Sequence, residues 1–230
     1  MKKREKVYYL PISIENLSIY LLREGSASLK FLENLLLADE QQLLSVLRGL
    51  DGLEIDESTV RVSNRIKLAL SAIERGIEPK SISKYLDWKE FEVEVARIFE
   101  EAGFIVQRNF RTNRPKRSET DVVALREDTI IAVDCKHWDP ASSGKSRYNL
   151  ASEAHFKRVV MMTKSDDFVS WVRRWINNKR VLIIPMLITL STRAGGINQW
   201  GAVVPISNLS YVIQNLDVFA REVPHIVLEI

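Results

Sequence analysis

The sequence has little of what commonly braces or anchors a chain. Its one cysteine, Cys135, excludes an internal disulfide, and three scattered histidines make a zinc site a poor interpretation. The longest apolar run, Val181–Leu190, contains Pro185 and is far shorter than the ~20 residues that a membrane span needs. The apolar stretch after the basic start is short and is interrupted by Pro11 and Glu15, which is untypical of a signal peptide. We therefore expect a cytoplasmic protein with no membrane partner.

An excess of charge of one sign is also lacking, because the formal net charge is only +3. Bulk charge therefore does not require a nucleic-acid partner, and the local clustering of charge matters more. One basic cluster lies within residues 108–117, and a second lies within residues 173–180. A solvated loop and a solvated helix end would explain them, but the first cluster leads directly into the hairpin described below. We predict that this cluster contacts phosphate through Arg108, Arg111, Arg114, Lys116 and Arg117.

The remaining composition, 46% hydrophobic and 27% charged, is ordinary for a globular protein of one large or two small domains. The pattern changes near Leu86, so we predict one domain over residues 1–86 and another over residues 87–230. In the first domain, Ser28 and Asp39 are expected to cap helices. The elements predicted there are helices at 14–24, 28–37 and 40–49, a small hairpin over 53–62, and helices at 64–76 and 81–86.

Three helices followed by a hairpin resemble a winged-helix module, and such modules often bind DNA. The charges give this interpretation little support. The third helix carries one basic residue, Arg48, and the hairpin carries Glu54, Asp56 and Glu57. A protein-docking or dimerising role is therefore an equal alternative for this domain.

The second domain mixes strands and helices, which predicts an α/β fold with a sheet covered by helices. Residues 139–147 are expected to form the main flexible loop. The predicted elements are helix 88–102, strands 104–110, 119–126 and 129–135, helices 150–164 and 167–177, strands 181–190 and 201–205, and helix 207–215.

One hairpin of this domain brings acids together. Two apolar runs, 118–125 and 129–136, flank a tight polar turn, which indicates a β-hairpin. With the turn at residues 127–128, the register places Asp121 directly opposite Asp134. Side chains paired in this way have Cβ atoms roughly 4.5–5.5 Å apart.

Two carboxylates that face each other in a buried sheet destabilise it. A divalent cation would offset this cost, because Mg²⁺ takes carboxylate oxygens plus water. Lys136 lies two residues after Asp134 on the same strand face, where its charge could stabilise the charge that grows on a phosphodiester. The alternative is a surface hairpin whose acids point into solvent and whose Lys136 pairs with Glu119, its partner in this register.

The preceding helix, 88–102, offers a further acid. Glu92 falls on the edge of its apolar stripe, whereas the acids at 94, 100 and 101 fall on the far side. We predict that Glu92 belongs to the site, with an ordinary boundary glutamate as the alternative. The stripe consists of Phe91, Val95, Ile98, Phe99 and Ala102.

These residues resemble the PD-(D/E)xK nuclease superfamily, which has the restriction-endonuclease-like fold. Asp121, a gap and Asp134-Cys135-Lys136 match its motif. Helix 88–102 resembles the first helix of Mrr-type restriction endonucleases and archaeal Holliday-junction resolvases, and the strands near 186–192 and 203–206 resemble later strands of the Mrr type. The sequence departs from the pattern in carrying Asp134 where glutamate or glutamine is usual, and Thr120 where a proline is common.

The resemblance implies a mixed sheet flanked by helices and hydrolysis of DNA phosphodiesters with Mg²⁺ or Mn²⁺, in restriction or in DNA repair and recombination. It implies Asp121 and Asp134 as metal ligands, with the backbone carbonyl of Cys135 as a further ligand. Lys136 would be the catalytic lysine and Glu92 an accessory acid. Cleavage of both strands would favour a homodimer.

Two residues on the helix after the site, Lys157 and Arg158, are predicted to contact the DNA backbone, with solvated residues of the helix surface as the alternative. A rival interpretation takes residues 142–146 as a phosphate-binding loop, but Asp139 stands where that pattern requires glycine and would repel phosphate. The stronger rival is a nuclease fold without activity that binds DNA or protein as a scaffold.

Overall fold

The computed structural model describes residues 13–115, 117–136, 145–177, 179–190 and 195–230. The chain divides into two compact units, Met1–Leu86 and Asp87–Ile230. Within these described ranges, no helix is both long enough and apolar enough to cross a bilayer.

The first unit joins short helices to a small antiparallel sheet. Its elements are α1 (Ile14–Glu24), β1 (Ser26–Ser28), α2 (Leu29–Leu36), α3 (Glu40–Arg48), β2 (Leu53–Ile55), β3 (Thr59–Val62), α4 (Arg65–Glu74) and α5 (Pro79–Ser83). The strand order is β1-β3-β2. The predicted helices and hairpin are confirmed, whereas β1 is missed by sequence reasoning because three residues are too few to show alternation.

Both predicted helix caps of this unit are confirmed. The Ser28 hydroxyl accepts from the backbone N–H of Phe31 at 3.2 Å, and the Asp39 carboxylate accepts from that of Gln42 at 2.8 Å. Each contact satisfies a backbone donor that the first helical turn leaves without a partner.

The second unit contains a large mixed sheet. Its elements are α6 (Trp88–Glu101), β4 (Ile105–Thr112), β5 (Ser118–Arg126), β6 (Thr129–Lys136), α7 (Lys145–Met162), α8 (Asp166–Arg173), β7 (Arg180–Thr189), β8 (Gly196–Asn198), β9 (Gly201–Pro205), α9 (Ile206–Gln214), α10 (Leu216–Glu222) and β10 (Ile226–Glu229). The strand order is β4-β5-β6-β7-β9-β8, and β10 pairs with the first part of β7. The pairs β6–β7 and β7–β9 are parallel, and the others are antiparallel.

Helices cover this sheet, so the predicted fold class is confirmed. The parallel strands β6 and β7 are connected through α7 and α8, as a crossover connection requires. Val123 and Ala132 of the sheet share one buried apolar cluster with Val159 of α7 and Phe168 of α8. Helix α6 packs against β4 and β5. Helices α6 and α7 therefore both pack against β5, one strand of the predicted hairpin.

The predicted hairpin register is confirmed as far as Val122, but the ladder ends before the predicted pairs of Asp121 with Asp134 and of Glu119 with Lys136, which are not formed. Paired residues run from Arg126↔Thr129 to Val122↔Val133. The turn lies at the predicted position, and Glu127 adopts a left-handed conformation with φ 55°. Only the turn chemistry is unusual, because a left-handed residue is more commonly glycine or asparagine.

Three expectations differ from the structure. Helix α7 begins at Lys145 rather than at residue 150, because the early residue Tyr148 is buried against Leu187 and Val203. Part of the predicted loop, 145–147, is therefore helical, while 139–144, which carries most of the rival phosphate loop, lies outside the described residues. Strands β8 and β10 and helix α10 were not predicted, since short elements carry too little periodicity.

The far side of α6 is also not as expected. Glu94 is buried rather than solvated. Its carboxylate receives two hydrogen bonds from Arg97, at 2.5 and 3.0 Å, and Arg97 also pairs with Glu101. A charged acid tolerates burial when an opposite charge and its hydrogen bonds accompany it. The helical wheel alone could not show that partner.

Candidate active site

The site begins where the hairpin strands stop pairing. The ladder between β5 and β6 ends at Val122↔Val133, although both strands continue. In place of the next backbone pair, the Asp121 carboxylate accepts the backbone N–H of Cys135 at 2.7 Å. We call this place the fork site and define it by Asp121, Asp134, Cys135 and Lys136.

The ladder between β4 and β5 has an irregular step at Asp121, which is missing from the paired residues. Thr120 contacts Met162 of α7 at 3.6 Å, and Val123 belongs to the apolar cluster that includes Met162. Residues three apart cannot share one face of a regular strand. On β4, Asn109 lies between the paired residues that flank this step and has φ 50°. Such irregularities commonly redirect a side chain beside an active site.

Asp134 is the most enclosed acid of the fork site, with only 6% of its surface exposed. Its Oδ1 accepts from Arg158 Nη2 at 2.5 Å. Its Oδ2 lies 2.5 Å from Lys136 Nζ, yet the angles are not those of a hydrogen bond, and this buried oxygen accepts no hydrogen bond from the residues that the structure describes. Asp134 is therefore oriented through one oxygen, while the other faces a cation without a directed bond.

The acids of the site are electrostatically connected. Burial raises the pKa of Asp121, the Cys135 N–H lowers it, and the negative charge of Asp134 raises it again. Burial also raises the pKa of Glu92, with the charges of Asp121 and Glu119 adding to the effect. Glu92 thus lies near enough to sense Asp121, on the α6 side of the sheet. Such repulsion marks a place where a cation would be stabilised.

Cys135 contributes backbone rather than sulfur chemistry. Its thiol is buried, and that burial raises its pKa well above the usual value, so the thiolate is disfavoured. Its N–H points at Asp121, and in a strand the carbonyl of the same residue points to the same side. That placement is compatible with the carbonyl ligand that the resemblance implies.

The alternative ion pair between Lys136 and Glu119 is not formed. Glu119 instead pairs with Arg111 at 3.0 Å across β4 and β5, and Lys136 pairs with Asp134. The acids also do not simply face solvent, because Asp134 is buried and Asp121 is half-buried. The sequence-based alternative of a solvated surface hairpin is therefore wrong.

The residues predicted to contact phosphate differ in exposure and in their ion-pair partners. Arg108, Arg114 and Arg117 are exposed, and Lys116 lies outside the described residues. Lys157 is exposed and pairs with Glu153 at 2.6 Å. Arg158, in contrast, turns inward to Asp134 instead of lying free on the helix surface. Their roles in DNA binding remain predictions.

One neighbour of the site was missed from the sequence. His155 is 1% exposed, and its Nε2 lies 2.8 Å from the carbonyl oxygen of Ala132. Its Nδ1 lies 3.5 Å from Arg158 Nη2. Burial lowers its pKa to about 4, so the ring is neutral at pH 7. The signal available in the sequence was the spacing of His155 and Arg158, which places both on one helix face.

The residues present fit a divalent cation. Among the described residues, no group of three or more His, Cys, Asp or Glu side chains is arranged as a metal cage. Mg²⁺ does not require one, because it commonly uses one or two carboxylates together with water and substrate phosphates. Two observations favour this hard-oxygen chemistry. The buried Asp134 Oδ2 is approached by the Lys136 ammonium at 2.5 Å without the geometry of a hydrogen bond. The charge of Asp134 also raises the pKa of the Asp121 carboxyl, so a cation beside both acids would be stabilised.

Comparison with protein families identifies the segment that carries the site. Residues 83–172 match the family model Mrr_cat, described as a restriction endonuclease. The matched segment contains Glu92, Asp121, Asp134, Lys136 and Arg158. Residues 83–172 are therefore similar to a restriction endonuclease domain of the PD-(D/E)xK-like class, and the resemblance seen in the sequence is confirmed for this segment. No curated protein matches the chain.

The solved structures that match parts of this chain include the following three. A protein of unknown function, AF1548, is 23% identical over 45% of this chain and 47% of its own, with a TM-score of 0.31. Protein VC1899 from Vibrio cholerae is 13% identical over 90% and 50%, with a TM-score of 0.38. The small subunit R.BspD6I2 of the heterodimeric restriction endonuclease R.BspD6I is 14% identical over 65% and 75%, with a TM-score of 0.32. The chain spans about half the length of the first two.

Proposed function

We propose that residues 87–230 form a metal-dependent endonuclease that hydrolyses phosphodiester bonds in DNA. The proposal depends on one observation, the fork site, in which two carboxylates and a lysine meet at the end of a hairpin within the matched nuclease segment. The site requires a divalent cation, Mg²⁺ or Mn²⁺, for which Asp121, Asp134 and the Cys135 carbonyl would be the ligands.

Each residue of the site has a role that its position supports. When bound, the cation lowers the pKa of a coordinated water and neutralises charge on the phosphodiester. Lys136 places an ammonium group beside Asp134, where it stabilises the attacking hydroxide or the charge that grows on phosphorus. Glu92 adds a carboxylate from α6, close enough to Asp121 to accept a proton or hold a water.

The exposed arginines supply the electrostatic part of DNA binding. Arg108, Arg114 and Arg117 lie on or just after β4, the strand beside β5 of the fork site. Side chains of this kind position a duplex through its phosphates and carry no sequence information. The first unit is proposed as a winged-helix-like module that docks DNA or a protein, and cleavage of both strands favours a homodimer. A role in restriction or in DNA repair and recombination follows from family analogy.

Cleavage of supercoiled plasmid with Mg²⁺ or Mn²⁺ tests the enzyme. We expect Asp134→Asn to reduce the rate by about 10³-fold, because a bound metal contributes several kcal/mol of charge stabilisation. The matched control is Asp128→Asn, which removes a carboxylate from the turn of the same hairpin, away from the fork. Equal rates in wild type and Asp134→Asn would contradict the proposal.

The melting temperature reports metal binding independently of DNA cleavage. Mn²⁺ is expected to raise the melting temperature of the wild-type protein and of Asp128→Asn, since a ligand that binds only the folded state stabilises it. Asp121→Asn should abolish that increase. Burial and repulsion raise the pKa of Asp121, so the ionised carboxylate lowers the free energy of unfolding of the metal-free protein. The metal-free variant should therefore melt no lower than wild type at pH 7.

One observation favours the scaffold as a second candidate. Asp134 already has two cations, Lys136 and Arg158, against its oxygens. A carboxylate neutralised in this way can be stable without metal. For a scaffold, wild type and Asp134→Asn would bind DNA equally, neither would cleave it, and Mn²⁺ would leave both melting temperatures unchanged.

A further inference from the structure

A buried histidine of α7 has no part in the reaction described above. His155 Nε2 lies 2.8 Å from the Ala132 carbonyl oxygen, which can only accept a hydrogen bond. The ring therefore carries its proton on Nε2 and donates it there. Because a neutral ring has one proton, Nδ1 is left as an acceptor, and it faces Arg158 Nη2 at 3.5 Å. A buried imidazole thus presents a lone pair to an arginine.

Arg158 is held from two sides by this arrangement. One hydrogen of its Nη2 reaches Asp134 Oδ1 at 2.5 Å, and the other is directed at His155 Nδ1. A guanidinium has five N–H donors in a rigid plane, which suits phosphate oxygens. The side chain is 34% exposed, so its remaining donors can reach a ligand from solvent.

The charges of the site favour an anion at this position once a cation is present. Without metal, the carboxylates of Glu92, Asp121 and Asp134 outnumber the cations Lys136 and Arg158. A divalent cation reverses that balance, and a phosphodiester oxygen then becomes the favoured partner for Arg158.

We infer that Arg158 binds a non-bridging oxygen of the scissile phosphodiester and that His155 is the positioning residue that holds Arg158 in place. This inference rests on the proposed nuclease function. A lysine could not replace the arginine, since its three donors diverge from one point and cannot hold His155, Asp134 and phosphate in one plane.

The salt dependence of DNA binding provides a test that does not require cleavage. A duplex oligonucleotide is titrated with the full chain at a fixed concentration of Ca²⁺, a hard cation that takes carboxylate and phosphate oxygens as Mg²⁺ does. The titration is repeated at several salt concentrations, and the slope of log K against log [salt] is measured. Each phosphate contact contributes about 0.9 to this slope. We expect Arg158→Ala and His155→Leu each to reduce it by about one, whereas His155→Gln, which retains a donor and an acceptor, preserves it.

Val159→Ala is the matched control for looser packing of α7. Val159 is fully buried on the same helix, one turn from His155, and touches the apolar cluster rather than the fork site. With Mg²⁺, His155→Leu should lower kcat by about 10–100-fold, as loss of a residue that orients a ligand commonly does. His155→Gln and Val159→Ala should stay within about threefold of wild type.

The outcomes separate this inference from the proposed function. Wild-type binding without metal-dependent cleavage overturns the nuclease function, while the slopes still decide whether Arg158 contacts phosphate. Wild-type cleavage with unchanged slope and kcat in His155→Leu overturns the positioning role. Equal losses of salt slope and of kcat in Val159→Ala and His155→Leu also overturn the positioning role, because looser packing of α7 would then explain both.

Discussion

At the scale of single residues, the fork site depends on how each charge is compensated. Opposed carboxylates in a sheet require a cation, and the sequence analysis expected a metal for this purpose. The structure shows that Arg158 and Lys136 already supply positive charge to Asp134, and that the Cys135 N–H supplies a donor to Asp121. A metal at this site would therefore compete with these side chains for the Asp134 oxygens.

The burial of His155 makes the free energy of unfolding depend on pH. Burial lowers its folded pKa to about 4, whereas the group titrates near 6.5 in an unfolded chain. Between these values the unfolded state binds a proton that the folded state does not, so the free energy of unfolding falls as the pH decreases. Relative to His155→Gln, wild type should lose about 3 kcal/mol between pH 7 and pH 4.

Urea denaturation at stepped pH measures this difference. The variant controls for every other group that titrates in the same range, because only the imidazole has been removed. If wild type and His155→Gln lost the same free energy of unfolding, burial would not lower the pKa of His155.

At the scale of elements, the hairpin sets the geometry of the site. Its turn holds Glu127 at φ 55°, a left-handed conformation that a side chain disfavours. Glu127→Gly should raise the free energy of unfolding by about 0.5–1 kcal/mol, because relief of strain exceeds the added entropy of the unfolded chain. Asp128→Gly, at a neighbouring position without positive φ, should instead destabilise. Chemical denaturation of both variants checks the sign.

The buried strands β7 and β9 lie very close together at Gly201. Gly201 has φ 145°, and a Cβ there would lie 2.3 Å from the carbonyl oxygen of Pro185. Gly196, with φ 142°, would meet nothing within 4 Å. Both alanine variants carry backbone strain of about 1–3 kcal/mol. Gly201→Ala should lose roughly a further 1–3 kcal/mol, because the β9 backbone must move from β7.

Thermal denaturation of the two variants isolates this steric effect. Since the φ values are nearly equal, the strain is shared and the difference reports the close approach of Gly201 to Pro185. If Gly196→Ala proved as damaging as Gly201→Ala, the close packing of these strands would not be the cause.

At the scale of the whole molecule, the fork site belongs to one unit. Its residues, with His155 and Arg158, all lie within Asp87–Ile230. We therefore expect residues 87–230, expressed alone, to unfold cooperatively and to keep the increase in melting temperature with Mn²⁺. Differential scanning calorimetry of the fragment beside the full chain tests this. A fragment that folds but shows no metal effect would place part of the site in residues 1–86.

The local geometry of the hairpin was predictable from the sequence. Alternating apolar residues and a polar turn set its register from Arg126↔Thr129 to Val122↔Val133, beyond which the two strands lead to Asp121 and Asp134. This succeeds because strand alternation and turn position determine which side chains are neighbours within one hairpin. Helix caps such as Ser28 and Asp39 were predictable for the same reason, since each depends on backbone groups three residues away.

Only the tertiary structure decided which distant groups complete the site. From the sequence, Arg158 was predicted only to contact the DNA backbone, whereas in the structure it contacts Asp134, 24 residues earlier. His155 reaches Ala132 across 23 residues. Those contacts depend on how α7 docks on β6, and helical spacing shows which residues share a face but not what that face meets. The charge balance of the fork site is therefore a property of packing, which brings cations from a separate helix against acids on the sheet.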